Sequence, residues 1–279
     1  MEKEKRYKCF LVFIYLIGSN ITLSLYLLNL DPIINTIFTI DGAWLVILII
    51  LIRMVFLLLM SKLLFKKWFN QEKQFFSDIP ILFASFFSLV FFGKAYDLLY
   101  DLTYHFINRS SFLFILKLRF IILILSIAPM YYLSIIMIKF FLSIYEGEKN
   151  SYKNKLSEYS HSLLLILIVL IESIIILLFL NEITGKVILP GIAIPSFLMI
   201  VVIFFLAYKN QKLSQVNPLI LTIGFGCYLV SQVIRPLLQL IFGETFYYVF
   251  SAELIDLIIF LVIFLGLITK IDYKSSSND

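Results

Sequence analysis

Asp97, Asp101 and His105 stand at steps of four in the stretch KAYDLLYDLTYH, with Lys94 three residues ahead of the first Asp. On a helix these four side chains fall within about 80° of arc. Residues four apart face the same way, so the pattern Asp-x3-Asp-x3-His can ligate a metal ion or line a polar ligand cavity. The competing reading is electrostatic. Lys94 neutralises Asp97, and the remaining polar residues form an ordinary hydrated helix end. The stretch follows the nearly unbroken apolar run IPILFASFFSLVFFG, so under either reading the stripe climbs out of an apolar environment.

Further charges lie inside long apolar segments: Arg53, Lys117, Arg119, Glu172, Arg235, Glu253 and Asp256. Each costs at least about 2.5–3.5 kcal/mol at the centre of a bilayer when unpaired, so such residues turn inward and pair. Arg235 comes out roughly 10 Å below one membrane face, and Glu253 and Asp256 roughly 9 and 14 Å below the same face. The connection between them is the short GET turn, which makes the two segments antiparallel neighbours and puts Arg235 within reach of either carboxylate. Gln232, Arg235 and Gln239 share a helix face, with Tyr228 one turn earlier. Pro236 removes a backbone hydrogen bond beside them, which predicts a kink. Arg53 and Glu172 come out at matching depths near 15–17 Å, where they pair if their helices are neighbours. Lys117 and Arg119 have a plainer assignment at the headgroups, because the 19 residues of 120–138 cross a bilayer alone.

The elements that carry these residues follow from composition. Of the 279 residues, 61% are hydrophobic and only 15% charged, against roughly half and a quarter in soluble domains. A chain this short cannot hide that much apolar surface in its own core, whereas lipid can solvate it. Eight segments are long and apolar enough to span, at about 9–30, 42–64, 79–101, 112–140, 162–181, 187–208, 218–242 and 247–269. Period-2 alternation is absent, which excludes a barrel and leaves helices. The expected fold is therefore all-α: a polytopic membrane helix bundle of eight transmembrane helices, one N-terminal helix plus a seven-helix bundle. It forms a single integral membrane domain over 1–279. The 32–40 connection has room for a short interfacial helix. Pro129 should kink the fourth span, and LPGIAIP should distort or delay the start of the sixth.

Charge sets orientation. The segments at 1–8, 62–73, 146–155, 209–212 and 270–279, with Lys139, hold 16 of the 23 Lys and Arg. The opposite connections hold only Arg109 and Lys186. Both termini are then cytoplasmic, with 1–8 as the N-terminal end and 270–279 as a disordered cytoplasmic tail. The net charge of +5 is accounted for by these loops, so nucleic acid is not an expected partner. Two Cys and two His rule out a disulfide framework and a metal site built mainly from thiolate and imidazole. Cys9 and Cys227 lie in apolar runs and read as small hydrophobes.

No nucleophile elbow, zinc-protease helix, phosphate-binding loop or dinucleotide fingerprint is present in a usable context. The DLLYD pair lacks the second acidic motif that membrane prenyltransferases use for magnesium diphosphate. Without these motifs an enzyme is the less favoured reading, and no cofactor is expected. The last two segments and their turn resemble seven-helix sensor modules in architecture, without a diagnostic motif.

Lys94, Asp97, Arg235, Glu253 and Asp256 all fall in the half of the membrane away from the cytoplasm. The expected function is receptor-like or sensory: a small polar or amphiphilic ligand in an outward polar cavity, with a cytoplasmic protein partner receiving the signal. A secondary transporter or permease subunit, using Arg53 and Glu172, is the second expectation. The third is a lipid-processing enzyme at the outer leaflet, using Asp97, Asp101 and His105, with Asp101 and His105 as its metal ligands if a metal is bound.

Overall fold

The computed structural model describes residues 2–146, 154–179, 181–211, 213–243, 245–271 and 273. Most of the charged connector near 147–153 and the tail from 274 onward, where disorder is expected from sequence, lie outside the described residues. All regular structure among the described residues is helical. In chain order the helices are α1 (Glu2–Leu28), α2 (Leu30–Thr39), α3 (Ala43–Phe69), α4 (Ile79–Thr103), α5 (Arg109–Glu146), α6 (Asn154–Phe179), α7 (Glu182–Lys209), α8 (Pro218–Phe242) and α9 (Phe246–Ile268).

Six of these are long and apolar enough to cross a membrane: α1, α3, α4, α5, α8 and α9. Helices α6 and α7 carry shorter apolar stretches among the described residues, Leu165–Leu178 and Ile194–Lys209. The chain is thus a helical membrane bundle. In hydrocarbon every backbone N–H and C=O must be satisfied within its own segment, which is why long apolar sequence becomes helix here.

That constraint also explains where the elements depart from expectation. Helix α7 begins at Glu182 and runs through both Pro190 and Pro195, in place of a delayed or distorted start. Helix α5, 38 residues in total, also passes through Pro129, as the span expected over 112–140 does. A proline forfeits one hydrogen bond, whereas ending a helix in lipid exposes several. Helix α4, by contrast, stops at Thr103, with Tyr104 as its C-cap. His105 therefore lies beyond the helix, and the four-residue stripe ends at Asp101. The short helix for which the 32–40 connection has room is α2. It is held by Ile33 and Thr36, both buried, and the Thr36 hydroxyl donates to the Leu102 carbonyl at 2.7 Å.

The helices group into two units. The first comprises Met1–Ser126 and Ser173–Glu182 and the second Ile127–Glu172 and Ile183–Asp279. In the first, α3 packs along α4 around Phe83, Phe86, Phe87, Leu57 and Leu64, all almost fully buried. The seam also holds hydroxyls. Ser61 and Ser88 both donate to the Ala84 carbonyl, at 3.0 and 2.7 Å, and Tyr15 of α1 reaches Ser88 at 2.5 Å. Small polar residues let helices approach closely and bond across the seam in an apolar solvent. Near the other end of α3, the Trp68 indole donates to the Phe75 carbonyl at 3.0 Å inside a cluster with Tyr7 and Phe76.

In the second unit α8 and α9 form an antiparallel hairpin. Gly243, at φ +73°, makes the turn that an L side chain would strain, and the Thr245 hydroxyl caps α9 by accepting from the Tyr248 N–H. The hairpin is close because two glycines face it. A Cβ on Gly224 would sit 2.7 Å from Ile263, and one on Gly266 would sit 2.9 Å from Leu221. Asn217 caps α8 through its side chain while its own N–H donates to the Gly266 carbonyl at 2.8 Å. Gly266→Val is expected to destabilise the protein by about 1–3 kcal/mol, since the Leu221 backbone stands in the way as well as its side chain. Denaturant unfolding in mild detergent, followed by circular dichroism, would measure it.

Candidate functional site

Among the described residues, charged side chains of the spans take part in polar groups, including one in the first unit and two in the second. In the first unit, Asp97 of α4 sits between two cations. Lys94 pairs with it at 2.6 Å from one turn away on the same helix, and Arg119 of α5 forms an ion pair with its other oxygen. Lys94 is buried. The Arg119 guanidinium lies over the Tyr100 ring, 4.8 Å from its centre, and Asp101 adds a second negative field. Tyr26 of α1 donates to the Ala95 carbonyl at 2.7 Å beside this group. Lys117 is also engaged, donating at 2.7 Å to the Leu177 carbonyl in the last turn of α6. Carbonyls there lack helical partners, so a lysine is a natural cap. Both α5 cations thus have protein partners, where a headgroup position is the plainer expectation from sequence. The reason is geometric. The connection from α4 to α5 is short, so a cation some turns into α5 returns to the level of Asp97.

His105 does not join this group. Its ring packs edge-on against Tyr104, 4.9 Å between centres, and with Tyr104, Ile107, Arg109 and Phe112 it lines an open groove of about 330 Å³. Lys94, Asp97 and Asp101 are not among the groove's lining residues. Among the described residues, no three His, Cys, Asp or Glu side chains come together as metal ligands.

The second group ties the α8–α9 hairpin. Arg235 pairs with Asp256 at 2.6 Å and donates to the Ala252 carbonyl at 2.8 Å. The other Asp256 oxygen accepts from Ser231 at 3.2 Å. Tyr248 closes the loop by donating to the Arg235 carbonyl at 2.7 Å. Asp256 is 1% exposed while the Arg235 side chain keeps 23%, so the two ends of the pair differ in burial. Glu253, one turn from Asp256, is also buried. Gln232 and Gln239 are half-buried on the same stretch of α8 as Arg235. The turn chemistry at Gly243 and Thr245 sets the register that brings Arg235 level with Asp256. Sequence reasoning misses Ser231 and Tyr248. Ser231 lies four residues before Arg235 and therefore on its face, which is the one signal available for it.

The third group belongs to α5, α6 and α7 of the second unit. The Ser196 hydroxyl donates to the Tyr131 oxygen at 2.5 Å, and Tyr131 is hydrogen-bonded to Glu172. Arg53, fully buried on α3, belongs to the first unit, whereas Glu172 belongs to the second.

A helical membrane bundle in which Asp97 and Asp256 pair with cations of the spans is the class that fold and sites define. Comparison with protein-family models, with curated proteins and with solved structures finds no match to the chain.

Proposed function

We propose that the chain is an eight-span membrane protein with both termini cytoplasmic, and that it acts as a receptor-like or sensory protein. Its α8–α9 hairpin is the responsive element, and it binds a small polar or amphiphilic ligand from the half of the membrane away from the cytoplasm. The observation that carries this is the Arg235–Asp256 pair. It joins two adjacent helices by one strong contact, and Arg235 is the less buried of the two partners. A polar ligand that binds Arg235 alters the tie between the helices. A shift of that kind needs only a difference in affinity for the two hairpin states. The cytoplasmic connections then carry the change to a protein partner.

A compound screen by thermal unfolding in lipid nanodiscs tests this. At a concentration about 100 times its Kd, a ligand stabilises the folded state by about 2.7 kcal/mol. The expected compound stabilises the natural protein and leaves the double variant Arg235→Met/Asp256→Leu unmoved. If every stabilising compound acts equally on both, the hairpin is not the site. Orientation is tested separately. In a chain with Cys9→Ser and Cys227→Ser, a single cysteine placed at Ser110 is expected to react with a membrane-impermeant maleimide added to intact cells, whereas one placed at Gln71 reacts only after lysis.

A secondary transporter is the second reading, favoured by the Glu172–Tyr131–Ser196 group within the spans. Solute uptake into proteoliposomes that is lost in Glu172→Gln would favour it over sensing.

A further inference from the structure

Glu172 differs from Asp97 and Asp256 in its surroundings. Asp97 and Asp256 each face a cation, with Arg119 and Lys94 on the first and Arg235 on the second. Glu172 lies near the middle of the apolar stretch Leu165–Leu178. The groups that face it among the described residues are neutral: the Tyr131 hydroxyl of α5 directly, and the Ser196 hydroxyl of α7 through Tyr131. Its oxygen Oε2 is shielded from solvent and accepts no hydrogen bond from any described residue.

An ionised carboxylate has lone pairs at both oxygens to satisfy, and in an apolar surround it also needs a counter-charge. A neutral carboxylic acid needs neither. It accepts at its carbonyl oxygen, and its O–H is a much smaller burden in hydrocarbon than a full charge. The hydroxyl order supplies a donor to one oxygen only. Ser196 donates to Tyr131, which leaves the Tyr131 O–H free to donate onward to one Glu172 oxygen, and the other oxygen carries the proton.

We propose that Glu172 is a reversible proton-binding site, kept as a neutral acid by its apolar surround and joined through one oxygen to the Ser196–Tyr131 relay. The site extends beyond the receptor-like reading and holds whether the protein senses or transports, because it rests on the Glu172–Tyr131–Ser196 group and not on the α8–α9 hairpin. Ionisation would leave one oxygen without a donor and the three helices α5, α6 and α7 without a matching charge, so loss of the proton would favour a different arrangement of them.

Infrared difference spectroscopy of the purified protein in nanodiscs decides the protonation. The natural protein is expected to show the carbonyl band of a protonated carboxyl that Glu172→Gln lacks, and the band should fade as pH is raised from about 5 to about 9. If no such band separates the two proteins anywhere in that range, Glu172 is ionised and the proposal is overturned. Glu172→Gln is close to the neutral acid in shape and charge and is expected to fold, which gel filtration and thermal unfolding check. Tyr131→Phe supplies the second readout: removing the onward donor should displace the band, and an unchanged band would overturn the relay.

A hydrophobic carbodiimide gives an independent test, because it reacts with the acid form. The carboxyl proton passes to a carbodiimide nitrogen while the carboxyl oxygen bonds the central carbon. The acyl group then migrates to nitrogen, leaving a stable N-acylurea with no leaving group. Mass spectrometry should find the adduct on Glu172, diminishing as pH rises, with far less on Asp256. Protection by sodium ions without any pH dependence would overturn the proposal in favour of a metal-cation site.

Discussion

Arg235→Met alone is expected to lower the unfolding free energy by about 3–5 kcal/mol, whereas Arg235→Met combined with Asp256→Leu should return most of it. The single change takes the guanidinium from Asp256, whose 1% exposure gives its carboxylate no solvent to turn to, and leaves the Ser231 contact at 3.2 Å in place. It also removes the guanidinium from the Ala252 carbonyl, though that carbonyl keeps its helical bond. The double change removes the charge on both sides and fills the space with apolar atoms, which is neutral or better for many buried pairs. The asymmetry between single and double variants, more than either value, identifies the contact as a mutually neutralising pair. Unfolding by denaturant in detergent, with all variants under one lipid and salt condition, measures it. If the double variant is as unstable as the single, then the pair's contribution is positional, through Tyr248 and the turn, and not through charge.

Most of the scaffold is legible in the amino-acid sequence, for a reason specific to lipid. An apolar run of twenty or more residues with few charges has only one way to satisfy its backbone, so helix positions follow from hydropathy for α1, α3, α4, α5, α8 and α9. The ends are less legible because they depend on local capping and on competition between proline and the solvent. Pro190 and Pro195 read as distorting or delaying the start of the sixth span, yet α7 already begins at Glu182. Rules drawn from water overstate what a proline does where an ended helix has no water to bond. Conversely, α4 ends at Thr103 with no glycine or proline to announce it, and that ending removes His105 from the acidic stripe.

Among the side chains, charge is legible and hydroxyls are not. Arg235 and Asp256 stand out because charge in an apolar run demands a partner, and the GET turn says which helix supplies it. Ser61, Ser88, Ser196, Ser231 and Tyr131 do not stand out. A serine or tyrosine in an apolar segment costs little, so its presence carries no demand that a reader can follow. Their roles come from what lies across the seam, as when Ser196 and Tyr131 reach Glu172 from two other helices. Arg119 falls between these cases. Its charge is conspicuous, but a headgroup position satisfies it on paper, and only the return of α5 alongside α4 shows it beside Asp97.

The Asp97 group makes the second large prediction, which turns on order. Asp97→Asn is expected to cost about 3–5 kcal/mol, as breaking a buried ionic group by removing one member does. It leaves Lys94, which is buried, and Arg119 facing each other across a neutral amide. Lys94→Met should cost much less, about 0–1 kcal/mol, because Asp97 keeps Arg119 and the long apolar side chain of Met occupies the lysine stem's place. Arg119→Met should fall between them, since Asp97 keeps Lys94 but the cation over the Tyr100 ring is lost, a contact worth roughly 0.5–2 kcal/mol. Asp97 is therefore the member that the two cations share. In Lys94→Met/Asp97→Asn the repulsion between the cations is gone, so this double variant is expected to be more stable than Asp97→Asn alone. A double-mutant cycle over Lys94 and Asp97, read by unfolding in one detergent, checks both the order and the sign. Should Lys94→Met prove as damaging as Asp97→Asn, the lysine would be the hub and the carboxylate its satellite, which would place the buried charge of this group on the cation.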